Sequence, residues 1–331
     1  MKFQEFIGID VSKSTLDFCL HSVGVSLEVE NSKSGYRKII SWVKENAEFP
    51  MDQILFCFEH TGLYSYNLAC YLTEKKVSFI LVPGLDVKLS LGIQRGKSDK
   101  VDAQKIALYA FRRKDEVTPY QMPEKRLIKL RQLLSIREKL VKQRSGYEGT
   151  LREQSKFLKR AENKLLFSIP KKLIRLLNIQ IDSIEKEIDL ILEASPEIKK
   201  KYELIISITG IGRQTALNLI VITNNFLLFD NHRKLASYAG VAPFPHTSGT
   251  SIKGRTKVSN LANKKLKSLL SSCASSAIQH DPELKLYYKK RTEKGVHKMN
   301  TINAVRNKLL ARVFAVVKRE TPYVTMYKYA A

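Results

Sequence analysis

Short apolar runs open the chain and give way to helical spacing, then return. Phe6-Ile7-Gly8-Ile9-Asp10 is one such run, ending in a carboxylate. Residues 15–20 and 25–29 predict two further strands joined by tight turns, so the first three strands form a meander. Tyr36, Ile39, Ile40 and Val43 have helical spacing within 36–45. A buried strand over 54–58 then runs into Glu59-His60-Thr61-Gly62. A helix over 64–74, a strand over 77–82 closed by Pro83-Gly84, and a helix starting near Ser98 as N-cap complete this stretch. Hairpin-linked strands followed by alternating helices and strands predict a mixed sheet with helices on its faces, over about residues 1–115.

Two other textures follow. Over 120–200 glycine nearly vanishes. Ile174, Leu177, Ile181, Ile184, Ile188 and Ile191 recur at spacings of 3, 4, 3, 4 and 3, the seam of a heptad repeat, with Pro170 at the helix start. This predicts a helical coiled-coil arm. Leu127, Leu130, Leu134, Leu140 and Val141 form a looser stripe interrupted by Arg137 and Arg144, open to pairing within the chain or with a second copy. The remainder, 201–331, is mostly helical. Residues 204–222 have the form helix, Gly210-Ile211-Gly212 turn, helix. A short helix over 234–240, a loop over 244–256 and three basic helices at about 258–279, 282–293 and 297–319 follow.

Composition narrows the class. The 331 residues are 44% hydrophobic with 15 Gly and 10 Pro, which excludes a disordered or fibrous chain and is enough for two or three packed units. Cys19, Cys57, Cys70 and Cys273 lack the spacing of a disulfide framework or zinc site. No apolar run reaches membrane-helix length, and Lys2, Glu5 and Asp10 break up the start of the chain where a secretory core would lie. A cytoplasmic protein, without a membrane partner, is expected.

The net charge of +25 is unevenly placed. Residues 1–98 carry 11 basic and 11 acidic side chains, whereas 114–331 carry 42 and 19, and 253–319 alone carry 17 and 3. An excess this local points to a polyanionic partner, because neutralising phosphates releases counterions.

Four carboxylates carry the candidate chemistry. Asp10 ends the first strand, Glu59 ends a later one, and Asp99 and Asp102 lie three apart on one helix face. Hard divalent cations take oxygen ligands, and a two-metal phosphodiester site needs carboxylates converging from separate elements. Singly, each has a plainer reading as a turn, cap or solvated residue. Their order is the informative feature.

Gly8-Ile9-Asp10-Val11-Ser12-Lys13, Phe58-Glu59-His60-Thr61-Gly62 and Lys97-Ser98-Asp99-Lys100-Val101-Asp102-Ala103 resemble the DEDD signature of an insertion-sequence transposase family that includes the pilin-gene invertases. Further matches are Tyr238-Ala239-Gly240-Val241-Ala242-Pro243, Thr247-Ser248-Gly249, His280-Asp281-Pro282 with Tyr287-Tyr288, and Ala304-Val305-Arg306-Asn307-Lys308-Leu309-Leu310. They resemble the family's C-terminal transposase domain. The resemblance implies an RNase H-like (RuvC-like) α/β domain, then the helical arm and a mostly α-helical C-terminal domain. It implies a DNA transposase or site-specific recombinase in which Asp10, Glu59, Asp99 and Asp102 bind Mg²⁺ (or Mn²⁺). The serine before a glycine, Ser248, is implied as nucleophile, with a covalent phosphoserine intermediate. The implied partners are double-stranded DNA at element ends and target, a structured guide (bridge) RNA, and further copies of the chain as a dimer or tetramer in a cytoplasmic, nucleoid-associated complex. Asn260 and Asn263 depart from the family's glycine-bearing turn after the serine loop.

The turn at Gly210 and Gly212, with Arg213, resembles a helix-hairpin-helix whose backbone N–H groups contact phosphate; simple helix packing with a glycine corner is the other reading. Arg255, Lys257, Lys264, Lys265, Lys267, Lys289, Lys290, Arg291 and Lys298 are phosphate-contact candidates, or else a solvated basic face. Tyr287 and Tyr288 are candidates for stacking on bases or for the core. Three other readings compete: a RuvC-like metal-dependent junction nuclease without a covalent serine step, a kinase of the actin-like ATPase fold, and a non-enzymatic nucleic-acid-binding protein. The ATPase reading lacks its glycine-rich turns and second half.

Overall fold

The alternating runs near the start form one five-stranded sheet. In the computed structural model, which describes residues 3–91, 99–248 and 252–324, its strands are β1 (Glu5–Val11), β2 (Thr15–Leu20), β3 (Ser26–Glu30), β4 (Ile54–Glu59) and β5 (Phe79–Val82). Their order is β3-β2-β1-β4-β5; β1–β2 and β2–β3 are antiparallel, and β1–β4 and β4–β5 parallel. The chain divides into two units, Met1–Met122 and Pro123–Ala331.

Both faces of the sheet are covered, so its central strands are apolar on both sides. Ile7, Ile9, Phe56 and Phe58 pack with Tyr36, Ile39 and Val43 of α1 (Lys33–Asn46) and Leu68 and Leu72 of α2 (Leu63–Glu74). On the other face, Phe6, Leu55, Cys57 and Ile80 pack with Val87 of α3 (Gly84–Leu91) and Ile106, Tyr109 and Ala110 of α4 (Asp99–Arg112). The mixed sheet agrees with expectation. Helix α3 is an addition, since Pro83-Gly84 starts a helix rather than closing a strand. Ser98, the expected cap of α4, lies outside the described residues.

The second unit begins with two long helices, α5 (Lys125–Phe157) and α6 (Lys164–Glu193). They run antiparallel, as their cross-links show: Lys129 meets Glu187, Arg137 meets Glu185, and Arg144 Nη1 donates to Asn178 Oδ1 at 2.8 Å. Leu127, Leu130 and Leu134 therefore pair within the chain, in one core with Ile188 and Leu192. Pro170 does not start α6. The helix begins six residues earlier at Lys164, and the proline sits inside it. Pro170 removes a single N–H bond, and Phe167, buried at 4% exposure, anchors the turn before it.

Helices α7 (Pro196–Ile206), α8 (Arg213–Ile222), α9 (His232–Tyr238), α10 (Lys264–His280), α11 (Pro282–Glu293) and α12 (Lys298–Arg319) complete the core around Ile205, Leu217, Leu270 and Leu309. The expected loop over 244–256 is instead an antiparallel pair, β6 (Pro243–Ser248) and β7 (Ile252–Val258). Its register shifts between Phe244 and His246, where Pro245 has no N–H to give the ladder. Because β7 runs to Val258, α10 starts later than expected. Asn263 caps it, with Oδ1 accepting from the Leu266 N–H at 2.9 Å.

Candidate functional site

Strand register sets the first two carboxylates. Ile9 pairs with Phe58 in the parallel β1–β4 ladder, so Asp10 and Glu59 follow as the next pair on strands about 4.8 Å apart. Both have the parity of Phe6, Leu55 and Cys57 and so belong to the side covered by α3 and α4. A Cβ on Gly84 would lie 2.5 Å from Glu59 Oε2, which places that carboxyl against the start of α3.

Gly8 brings in the other two. A methyl group there would run into the backbone of Ala103 and Ala107, so α4 rests on β1 at backbone contact, and only glycine permits it. Gly8 meets Ala103 while Phe6 meets Phe111, their rings 5.8 Å apart. Helix α4 thus runs antiparallel to β1, and its first turn, with Asp99 and Asp102, lies toward Asp10. Lys105 Nζ bonds Asp102 Oδ1 at 2.8 Å, and Asp10, Glu59 and Asp102 are all half-buried. The Asp99 side chain is outside the described residues, and among those described no group of three or more His, Cys, Asp or Glu side chains closes on one point.

Sequence reasoning missed a fifth carboxylate, Asp17. It registers with Asp10 across β1–β2 and is only 6% exposed. Between Leu16 and Phe18 it has the signature of an outward polar position, yet α4 covers that side. Beneath Glu59, burial pushes the Cys57 thiol up, and the Glu59 charge adds to this. The face offers the carboxylate oxygens of Asp10, Asp17, Glu59 and Asp102. Carboxylate oxygen is the donor type Mg²⁺ or Mn²⁺ takes, so the residues fit such an ion in donor chemistry.

In the second unit Ser248 ends β6, registered with Ile252; its side chain and that of Arg255 lie outside the described residues. At the Gly210-Ile211-Gly212 turn, Gly210 has φ +94°, and a Cβ on it would sit 2.6 Å from that of Ala277 on α10. The Ile211 N–H bonds the Ile208 carbonyl at 3.0 Å. Helix packing thus accounts for Gly210, and a local bond for one of the turn's N–H groups. Arg213 is committed as well, bonding Glu185 Oε2 at 3.0 Å and Asp189 Oδ1 at 2.8 Å.

The other basic candidates differ in freedom. Lys257, Lys264, Lys290 and Lys298 are exposed, while Lys267 is half-buried. Lys265 pairs with Glu138 at 2.5 Å and Lys289 with Glu293 at 3.8 Å. Tyr287 packs on the core, and its ring faces Arg291 at 5.6 Å and Lys308 at 4.7 Å.

Two family models match the chain, one described as "Transposase", of the IS110 DEDD type, over residues 7–158 and one as "Transposase IS116/IS110/IS902 family" over residues 202–289. The chain belongs to the IS110 family of transposases. It is similar to the pilin gene-inverting proteins of Moraxella lacunata and Moraxella bovis, each 28% identical over 328 residues, covering 96% of this chain and 97% of theirs. It is also similar to an uncharacterized 43.6 kDa protein of insertion element IS110 from Streptomyces coelicolor, 29% identical over 141 residues, covering 43% of this chain and 34% of that one. The first family model spans the four carboxylates and the second spans the glycine turn and Ser248. Membership in this transposase family supports a function in DNA recombination and carries DNA binding, cleavage and transfer with it. Among the described residues no helix is long and apolar enough to cross a membrane.

Proposed function

We propose that this transposase excises and inserts its element with two sets of groups: Asp10, Glu59, Asp99 and Asp102 on a RuvC-like first unit, and Ser248 on the β6–β7 hairpin. The observation that supports it best is the level placement of Asp10 and Glu59 on adjacent parallel strands, with the first turn of α4 brought over them by Gly8. Bound Mg²⁺ or Mn²⁺ would neutralise charge that builds on the phosphate oxygens and the leaving oxygen. Asp10 on β1, Glu59 on β4, and Asp99 and Asp102 on α4 would hold the ion through their carboxylate oxygens. Ser248 Oγ loses its proton and bonds to phosphorus as one P–O bond to a sugar breaks, and the departing sugar oxygen takes up a proton. Rejoining reverses the exchange with a different sugar hydroxyl.

In this reading the free lysines at 257, 264, 290 and 298 neutralise backbone phosphates, α5 and α6 form a coiled-coil arm, and a structured guide RNA selects the sites. Two duplexes are held at once, so the active form is a homo-oligomer. The test is a junction assay in cells carrying the gene with its native flanking DNA, comparing wild type, Asp102→Ala and Ser248→Ala. Circle junctions with wild type and with neither variant are expected. Junctions retained by Ser248→Ala would replace the serine step with a RuvC-like nuclease reaction.

A further inference from the structure

Two arginines on α12, six residues apart, have opposite surroundings. Arg312 bonds Asp281 Oδ2 at 2.6 Å and Glu283 Oε2 at 2.7 Å, so its charge is matched inside the fold. Arg306 is more deeply buried, at 6% exposure, and among the described residues no carboxylate pairs with it. Among them its one bond is from Nη1 to Asn303 Oδ1, a neutral acceptor one turn back, at a long 3.3 Å. Its Nε is fully buried without a partner. Burial alone pulls the guanidinium down from its ordinary range, with no neighbouring charge to oppose it. A guanidinium does not shed its proton in a protein, and a buried cation without an anion is strongly unfavourable. Such a group gains most from an anion that arrives from outside.

The position says which anion. Asn303 and Asn307 donate from Nδ2 to the Val241 carbonyl at 2.7 and 2.9 Å, so the Arg306 turn of α12 is tied to the residue two before Pro243, the first of β6. Arg306 thus sits at the foot of the hairpin whose far end carries Ser248. The surrounding stretch, 253–319, has 17 basic and 3 acidic residues and no surplus carboxylate to offer. We propose that Arg306 is a buried anchoring site for a backbone phosphate of bound nucleic acid, at the foot of the serine hairpin. This rests on the reading that the second unit binds nucleic acid. Strand β6 extends roughly 20 Å, against a duplex rise of about 3.4 Å per nucleotide, so the anchored phosphate lies several nucleotides from the one attacked. Arg306 is therefore a positioning residue. A planar fork suits a phosphate's paired oxygens better than an ammonium does.

The test compares full-length wild type, Arg306→Met and Arg306→Lys by thermal melting and by titration with a fluorescent duplex DNA and a structured RNA at several salt concentrations. Without nucleic acid, Arg306→Met should melt at or above the wild-type temperature, because it removes an unmatched charge. It should bind roughly tenfold or more weakly, with a salt slope shallower by about one, whereas Arg306→Lys keeps the slope. Weakening on the duplex alone assigns the phosphate to DNA and weakening on the RNA alone assigns it to the guide; either supports the site. An Arg306→Met protein that melts lower or fails to fold would show that the charge is matched within the fold and overturn the proposal. Unchanged affinity and slope for both nucleic acids would overturn it too. Wild type that binds neither would instead remove the nucleic-acid reading on which the inference stands.

Discussion

The two units handle charge in opposite ways. Residues 1–122 carry 16 basic and 15 acidic side chains, close to neutral, yet one sheet face gathers Asp10, Asp17 and Glu59 under the first turn of α4. Residues 123–331 carry 41 basic and 17 acidic, and the surplus is spread over helix surfaces and a hairpin. The acidic positions follow from register: a slip of one residue in β1 or β4 would turn its carboxylate to the opposite face. The basic positions follow from helix surfaces, where one lysine substitutes for another at little cost. Catalytic chemistry needs the first kind of placement and phosphate neutralisation tolerates the second. Arg306 is the exception in the basic unit, since it is buried and single.

Variants can break or sharpen this contrast. The largest effect belongs to Glu59→Gln, which removes one charge and leaves the shape. Junction formation should fall by orders of magnitude with an unchanged melting temperature, and activity within a few-fold of wild type would sink the carboxylate assignment. Next is Gly8→Ala. Its methyl group collides with the backbone of α4, so stability should fall by about 1–3 kcal/mol in denaturant unfolding, and activity should fall with it. A variant as stable as wild type would mean that α4 does not rest on β1 as described. Smallest is Lys264→Ala in the basic unit: affinity for duplex DNA should drop only a few-fold, with a salt slope shallower by about one. A loss as large as that of Glu59→Gln would erase the distinction between the units.

How much of this was legible depends on the period involved. Asp10 and Glu59 stood out because each closes an apolar run, and strand alternation assigns its face. Asp102 followed from helical spacing with Ile106. Asp17 did not stand out, because alternation cannot reveal that α4 covers the second face; the one sign was Gly8, which marks a close approach without naming what approaches. Pro170 misled because proline favours a first turn, although Leu165, Leu166 and Phe167 continue the helix before it. The hairpin over 243–258 is polar and carries Pro245, so it had the texture of a loop. Arg306 is one of many basic residues in 253–319, and nothing in its spacing separates it from its exposed neighbours; only burial does.

The most direct measurement of the account is to incubate the full chain, together with RNA transcribed from the native flanks, with DNA carrying those flanks in Mg²⁺, trap protein–DNA adducts by denaturation, and map the modified peptide by mass. Wild type should yield an adduct on Ser248, and Glu59→Gln and Ser248→Ala should yield none. An adduct on any other residue, or one that persists in Glu59→Gln, would contradict it.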